Sequence, residues 1–370
     1  MTAPELAASP LRSGEAPPLP GRLQRLHARL FYSPAASALT LAMLGVLSWL
    51  LVRLVDWGVV HAVLAPDPAA CRAASGACWG FVVEKYRLIL FGRYPYEEQW
   101  RPLLATGAIF AMLVATALPA LWTRHGARLL GLGWLAAFTL FLALMQGGFA
   151  GLAAIPTDRW GGLPLTVILT LIGMTASAPL GILLALARRS TMPLLRLLAI
   201  GYIELVRGVL LITVLFVATF IFPLLLPAGL RLDPFWRIVI GIVLFQAAYM
   251  AETVRGGLQT IPRGQFDAAA SLGLGYGHTQ LHVVLPQALV AIIPAFVNSL
   301  LGTFMDTSLV TVVSMYDLTG SLRLALGDPK WREFFIEGYL FLAAVYFAGS
   351  FAMSRYSIWL EGRLKRAVAR

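Results

Sequence analysis

The chain has 370 residues, 59% of them hydrophobic and only 13% charged, with a formal net charge of +11. Soluble chains carry about 25% charged residues, so this composition excludes a soluble globular domain and indicates an all-α, polytopic helical membrane protein. The basic excess resembles a nucleic-acid footprint only until its distribution along the chain is considered.

The first 36 residues are rich in Pro, Ala and Arg, with no apolar h-region or cleavage pattern before Leu30. They read as a disordered cytoplasmic tail rather than a cleaved leader. Arg22, Arg25 and Arg29 then hold the start of the first span inside. About eight spans follow, with approximate cores 37–56, 102–122, 129–150, 162–187, 197–228, 236–251, 286–316 and 336–354. A helix needs roughly 18–20 apolar residues to cross hydrocarbon. Ile238–Ala251 falls short and must borrow Phe235, Trp236 and a snorkelling Arg237, and Gly338–Ser354 is also brief. With the N-terminus inside, the cytoplasmic segments are 1–36, 123–128, 188–196, 252–285 and 355–370. They hold sixteen Lys/Arg against five Asp/Glu, whereas the outer loops hold ten against nine. That asymmetry satisfies the positive-inside rule and removes the need for a nucleic-acid partner.

Asp56, near the outer end of the first span, has Arg53 three residues earlier as a local partner. The outer loop 63–101 contains both cysteines of the chain, Cys71 and Cys78. In an oxidising compartment they can close a small disulfide ring; two free thiols are the alternative. A boundary falls near Asp158–Trp160. It separates a three-helix extension (37–157) from a five-helix core (158–358), and a basic cytoplasmic tail (359–370) follows the core.

Within the core lies the loop 252–285, and its end reads QFDAAASLGLGYGHTQLHVVLPQAL from Gln265 to Leu289. Phe266, Ala269, Ala270, Gly273 and Leu274 recur at helical spacing and form one shallow apolar face. Gly273, Gly275 and Gly277 permit a sharp turn, and Pro286 suits the start of the next helix. The pattern predicts an exposed cytosolic hairpin whose small side chains suit the groove of another protein.

The spacing Asp267-Ala268-Ala269, three residues, Gly273, nine residues, Val283-x-Leu285-Pro286 resembles the EAA signature of ABC-importer permeases. Asp267 stands in for Glu and Val283 for Ile. YIELVRG (Tyr202–Gly208), AAYMAETVRGGLQTIPRGQ (Ala247–Gln265) and MDTSLV (Met305–Val310) are similar to the polar-amino-acid subfamily over about residues 160–358. With its extension and FGRYP loop, the whole chain resembles the M-type membrane subunit of a general L-amino-acid transporter. The resemblance implies a type I importer core preceded by three extra helices. It further implies a coupling helix at roughly Arg263–Gly275 that docks on a cytoplasmic ATPase. The coupling residues are then Arg263, Gln265, Phe266, Asp267, Ala268, Ala269, Gly273, Leu274, Gly275, Leu285 and Pro286. Expected partners are a second homologous permease subunit, two ATPase subunits that hold ATP and Mg, a periplasmic amino-acid-binding protein, and lipid of the bacterial inner membrane. The family's Gly-x-Pro-Leu is here Gly208-Val209-Leu210-Leu211, and its lysine before the aspartate is here Met305.

The residues agree that energy must come from outside the chain. Its three lysines, Lys85, Lys330 and Lys365, follow no glycine-rich loop, so no Walker A phosphate cradle can be built.

Ionisable residues in spans are costly and usually face a partner or a cavity. Glu204 and Arg207, at i, i+3, are placed to pair and orient the fifth span. Asp306 lies among Asn298, Ser299, Thr303, Thr307, Ser308 and Thr311, a polar run that suits a pathway able to receive an ammonium group. Alternatively, Asp306 caps a helix break at Thr307–Leu309. The substrate-path candidates are therefore Asp306, Thr307, Ser308, Thr303, Asn298, Glu204 and Arg207. His278 and His282 have metal-compatible spacing but no third ligand nearby, so neither a metal nor catalytic chemistry is expected. Two other classes stay open: an ion-driven secondary transporter using Glu204 or Asp306, and a membrane scaffold that transports nothing.

Overall fold

The computed structural model describes residues 30–118, 121–149, 151–227 and 232–368, so the N-terminal tail with Arg22, Arg25 and Arg29 lies outside the described residues. Among the described residues the named elements are helical apart from the two-residue strand Tyr316–Asp317, which bridges in parallel to Gly161 and Gly162. It divides into two compact units, one of Met1–Val63 with Cys71–Ala77 and one of Leu64–Ala70 with Cys78–Arg370.

In the smaller unit, α1 (Pro34–Val55) starts with Pro34 at its first turn, and the Ser33 hydroxyl accepts the Ala36 amide at 3.2 Å. A π-turn continues it to Val60. The expected Arg53–Asp56 pair is replaced. His61 reaches Asp56 at 3.1 Å, and Arg53 lies over the Trp49 ring at 5.9 Å. The cause is geometric: the π-turn carries Asp56 round toward the helix end, where His61 follows, and Arg53 stacks instead on the residue one turn before it.

After the short α2 (Pro68–Ala73), the larger unit runs through α3 (Gly80–Phe91), α4 (Trp100–Ala117) and α5 (Arg124–Gln146), the last two packed as a hairpin. The core follows with α6 (Gly162–Arg188), α7 (Pro193–Arg207), α8 (Leu211–Phe216) and α9 (Pro234–Gln259). Beyond these come α10 (Arg263–Ser271), α11 (Tyr276–His278), α12 (Leu285–Asp306), α13 (Leu318–Ala325) and α14 (Phe335–Val368). Cys71 and Cys78 are buried.

Among the described residues, seven helical segments are long and apolar enough to cross a membrane, and a bent pair makes eight. The two short spans are longer than their uncharged runs. The helix from Pro234 is started by Asp233, whose carboxylate accepts the Phe235 amide at 2.9 Å, and it continues past Glu252 and Arg255 to Gln259. The expected single span 197–228 is instead broken: Pro193–Arg207 and Leu211–Leu225 meet at 106°. The break needs no proline. Gly208, a weak helix former, ends the first piece, and Leu210 is extended at φ −78°, ψ 147°.

Helices α6 and α9 form the centre of the core, brought close by Gly173 against Ile242 and Gly181 against Met250. One apolar cluster, with Phe141, Trp160, Phe235 and Ile238, fills the end near the strand. A second, with Met250, Val254, Val284 and Ile292, fills the end that carries α10. Where the extension meets the core, Gly92 (φ +61°) lies against Gly161 and Gly162. A Cβ on Gly92 would stand 2.7 Å from the Gly161 Cα, and one on Gly162 would stand 2.1 Å from the Leu90 carbonyl oxygen.

Candidate functional site

Three regions of the larger unit hold the predicted functional residues, and the first is the hairpin. Helix α10 covers Arg263–Ser271, shorter than the expected Arg263–Gly275. It stops because Gly273 turns left-handed at φ +73°. The Gly273 amide then donates to Ala270 O at 2.9 Å and the Leu274 amide to Ala269 O at 3.1 Å, the paired bonds of a Schellman ending. Only part of the predicted apolar face is used internally. Ala269 is buried and Phe266 packs on the inner cluster, whereas Ala270, Gly273 and Leu274 stay exposed. Leu272 and Tyr276 are also exposed, so the hairpin tip presents apolar side chains outward. Gln265, Arg263, Asp267, Ala268 and Gly275 are likewise exposed, while Leu285 is buried at the start of α12. Gln287 donates to Gln265 at 3.1 Å and ties the hairpin to α12.

The second region is an ionic network at the same end. Glu204 and Arg207 do not bond to one another: Glu204 reaches Arg188 at 3.1 Å, and Arg207 reaches Glu252 at 3.8 Å. Glu252 is the hub, also bonded to Arg188 and to Arg255 at 2.8 Å. Because α7 ends beside both α6 and α9, each side chain finds an opposite charge on a neighbouring helix before one on its own. Residue spacing missed Glu252; its one signal was Arg255 three residues later in AETVRG.

The third region is the last half of α12. Asp306 is half-buried at its end and, among the described residues, has no hydrogen-bond or ion-pair partner. The helix-cap alternative is not observed, because no side-chain bond from Asp306 caps the 3-10 turn Thr307–Val313. The hydroxyl neighbours divide. Thr303 is buried, donating to Ser299 O at 2.8 Å, and Thr307 is buried, donating to Phe304 O at 2.8 Å. Ser308 is half-buried. Asn298 is exposed and lines a cleft of mixed polarity, about 390 Å³, between α12 and α14, with Ser354, Ser357 and Glu361 beside Leu301 and Ile358. Asn298 and Asp306, eight residues apart, share one side of the helix, while Thr303 and Thr307 point into packing.

His278 and His282 stack at 5.7 Å, and no metal-compatible group of three His, Cys, Asp or Glu occurs among the described residues.

Seven or eight helices long and apolar enough to cross a membrane, counted among the described residues, with an exposed hairpin between two of them, are the architecture of a membrane permease. The chain belongs to the family described as binding-protein-dependent transport system inner membrane component, whose model matches residues 177–366. It is 42% identical over 337 residues to the inner membrane amino-acid ABC transporter permease protein YhdY of Escherichia coli K12, covering 90% of each chain. To the glutamate/glutamine/aspartate/asparagine transport system permease protein BztC of Rhodobacter capsulatus it is 34% identical over 410 residues, covering 94% of each. The L-cystine transport system permease protein TcyB of Bacillus subtilis is 30% identical, with 57% of this chain and 88% of that one covered. This chain is thus a permease subunit of an ABC-type importer, and not itself catalytic.

Proposed function

We propose that this subunit forms half of an amino-acid translocation pathway in the bacterial inner membrane and is driven through its α10 hairpin by a separate pair of ATPase subunits, which hold ATP and Mg. The observation that carries this reading is the hairpin itself: a helix closed by a left-handed glycine, exposed, with apolar residues at its tip. The amino-acid class is supported by the names of YhdY and BztC, relatives along nearly their whole length. The basic residues on one side of the spans support cytoplasmic N- and C-termini. A second permease subunit completes the pathway, and an amino-acid-binding protein delivers substrate at the opposite face. Asp306, a carboxylate with no partner among the described residues, would receive the substrate ammonium. The two cysteines close a disulfide in the exported loop, and residues 158–358 form the core that the extension precedes.

Affinity purification of the chain from membranes should bring down an ATPase pair, and reconstituted complexes should take up amino acids only with ATP inside. Uptake by this chain alone in an ion gradient would overturn the reading. Asp306→Asn is expected to cut uptake at least about tenfold while the complex still assembles, because a lost charge-assisted bond is worth roughly 1.5–3 kcal/mol; undiminished uptake removes Asp306 from the pathway.

A further inference from the structure

Helix α3 precedes residue 177, where the family model begins, yet it is built into the core. Its Phe81 packs on Trp331 with ring centroids 5.9 Å apart, and both rings are buried. One turn on, the Lys85 ammonium donates to Asp328 at 3.0 Å. Just before the helix, the Cys78 amide donates at 2.8 Å to Glu337, a carboxylate 5% exposed in the first turn of α14. Gly338 leaves no slack there: a Cβ would lie 2.7 Å from Phe81 and 2.8 Å from Leu322 of α13.

What α3 holds is continuous with the polar segment of α12. Helix α13 starts at Asp317, a fully buried carboxylate that accepts the Gly320 amide at 2.9 Å and the Thr319 amide at 3.1 Å. Asp317 also accepts the Tyr346 hydroxyl at 3.1 Å and the Thr311 hydroxyl at 2.6 Å. Thr311 belongs to the 3-10 turn that follows Asp306. Contact therefore runs from α3 to α13, through Asp317 to Thr311, and so to the end of α12. A packed chain of this kind transmits displacement instead of absorbing it.

We propose that α3 is a clamp on the outer end of the pathway. It holds α13 and the first turn of α14 in the resting arrangement, and docking of the delivery protein must release or carry it before the ATPase fires. Lys85, Phe81, Asp328 and Glu337 are its positioning residues. The proposal rests on reading Asp306–Val313 as part of an importer pathway.

The test uses the complete complex in lipid nanodiscs. Its ATPase rate is measured with and without the delivery protein, loaded with the amino acid that uptake identifies. Lys85→Met and Asp328→Asn should each raise the unstimulated rate about two- to fivefold, the scale expected for one part-exposed ion pair, and leave the stimulated rate unchanged. The charge swap Lys85→Asp with Asp328→Lys should return the ratio toward wild type. Glu337→Gln, which keeps an acceptor for the Cys78 amide, should behave as wild type, whereas Glu337→Ala should raise the unstimulated rate. Unchanged ratios in every assembled variant would overturn the clamp and spare the importer reading. A wild-type complex whose ATPase ignores the delivery protein would overturn both.

Discussion

At Gly273 the backbone sits in the left-handed region, and nothing crowds the place where a Cβ would stand. The need for glycine there is conformational, not steric. A β-branched residue in that region is strained by roughly 1–2 kcal/mol, with the Schellman bonds to Ala269 and Ala270 at risk. Gly273→Val is therefore expected to fray the end of α10 and weaken stimulation of the ATPase, while Gly273→Asn, which tolerates this conformation, should lose less. Equal loss for both would show that space at the partner's surface governs the site instead of backbone shape. Asp328 offers a second residue-scale prediction. The hydrogen bond from Lys85, and after it the Lys330 amide, holds its carboxyl below the usual carboxylate range. A depressed carboxyl contributes stability above its unfolded pKa and loses it as pH falls through the folded value. The thermal-stability difference between wild type and Asp328→Asn should be present at neutral pH and vanish in acid below the normal carboxylate range. A difference that persists unchanged in strong acid would contradict the pairing.

Among the elements, the bent pair α7–α8 gains its shape from charge as well as from the glycine at its break. Arg188 closes α6, Glu204 and Arg207 end α7, and Glu252 and Arg255 lie in the last turns of α9, so the network fastens three helices at the end that carries α10. Its members are unequal. The Glu252 side chain is 14% exposed and touches three arginines, whereas that of Glu204 is 56% exposed and touches one. Glu252→Ala should destabilise the purified subunit by about 1–3 kcal/mol, the cost of unsatisfying a hydrogen-bonded charged group. Glu204→Ala should cost only about 0–1 kcal/mol. Thermal unfolding in one detergent ranks the two, and the reverse order would refute the hub.

Across the molecule, legibility followed locality. Apart from the broken fifth span, the spans, the α10 helix and its glycine turn were readable, because apolar run length and turn residues act over a few positions. Borrowing Phe235, Trp236 and Arg237 brought the short run Ile238–Ala251 close to the start of α9 at Pro234, but its charged far end was not counted. Most of what was not readable depended on neighbours distant in sequence, and the rest on a local irregularity of a helix end. Glu204 and Arg207 looked like partners until α6 and α9 offered better ones, and Asp56 turned to His61 through a π-turn that no periodicity announces. The polar run along α12 was visible, but the turning of Thr303 into packing was set by Met174 of α6, far away in sequence. The packing of α3 on α13 and α14 joins residues about 240–260 positions apart, beyond the reach of any spacing rule.

The three glycines at the junction set a limit on engineering. Gly92, Gly161 and Gly162 meet main chain to main chain, leaving no gap into which a methyl group could slip. A chimera that transplants the N-terminal helices onto a shorter permease must therefore carry this bare-backbone seam on both sides of the splice. With alanine on the acceptor side, the graft would be tethered but never seated.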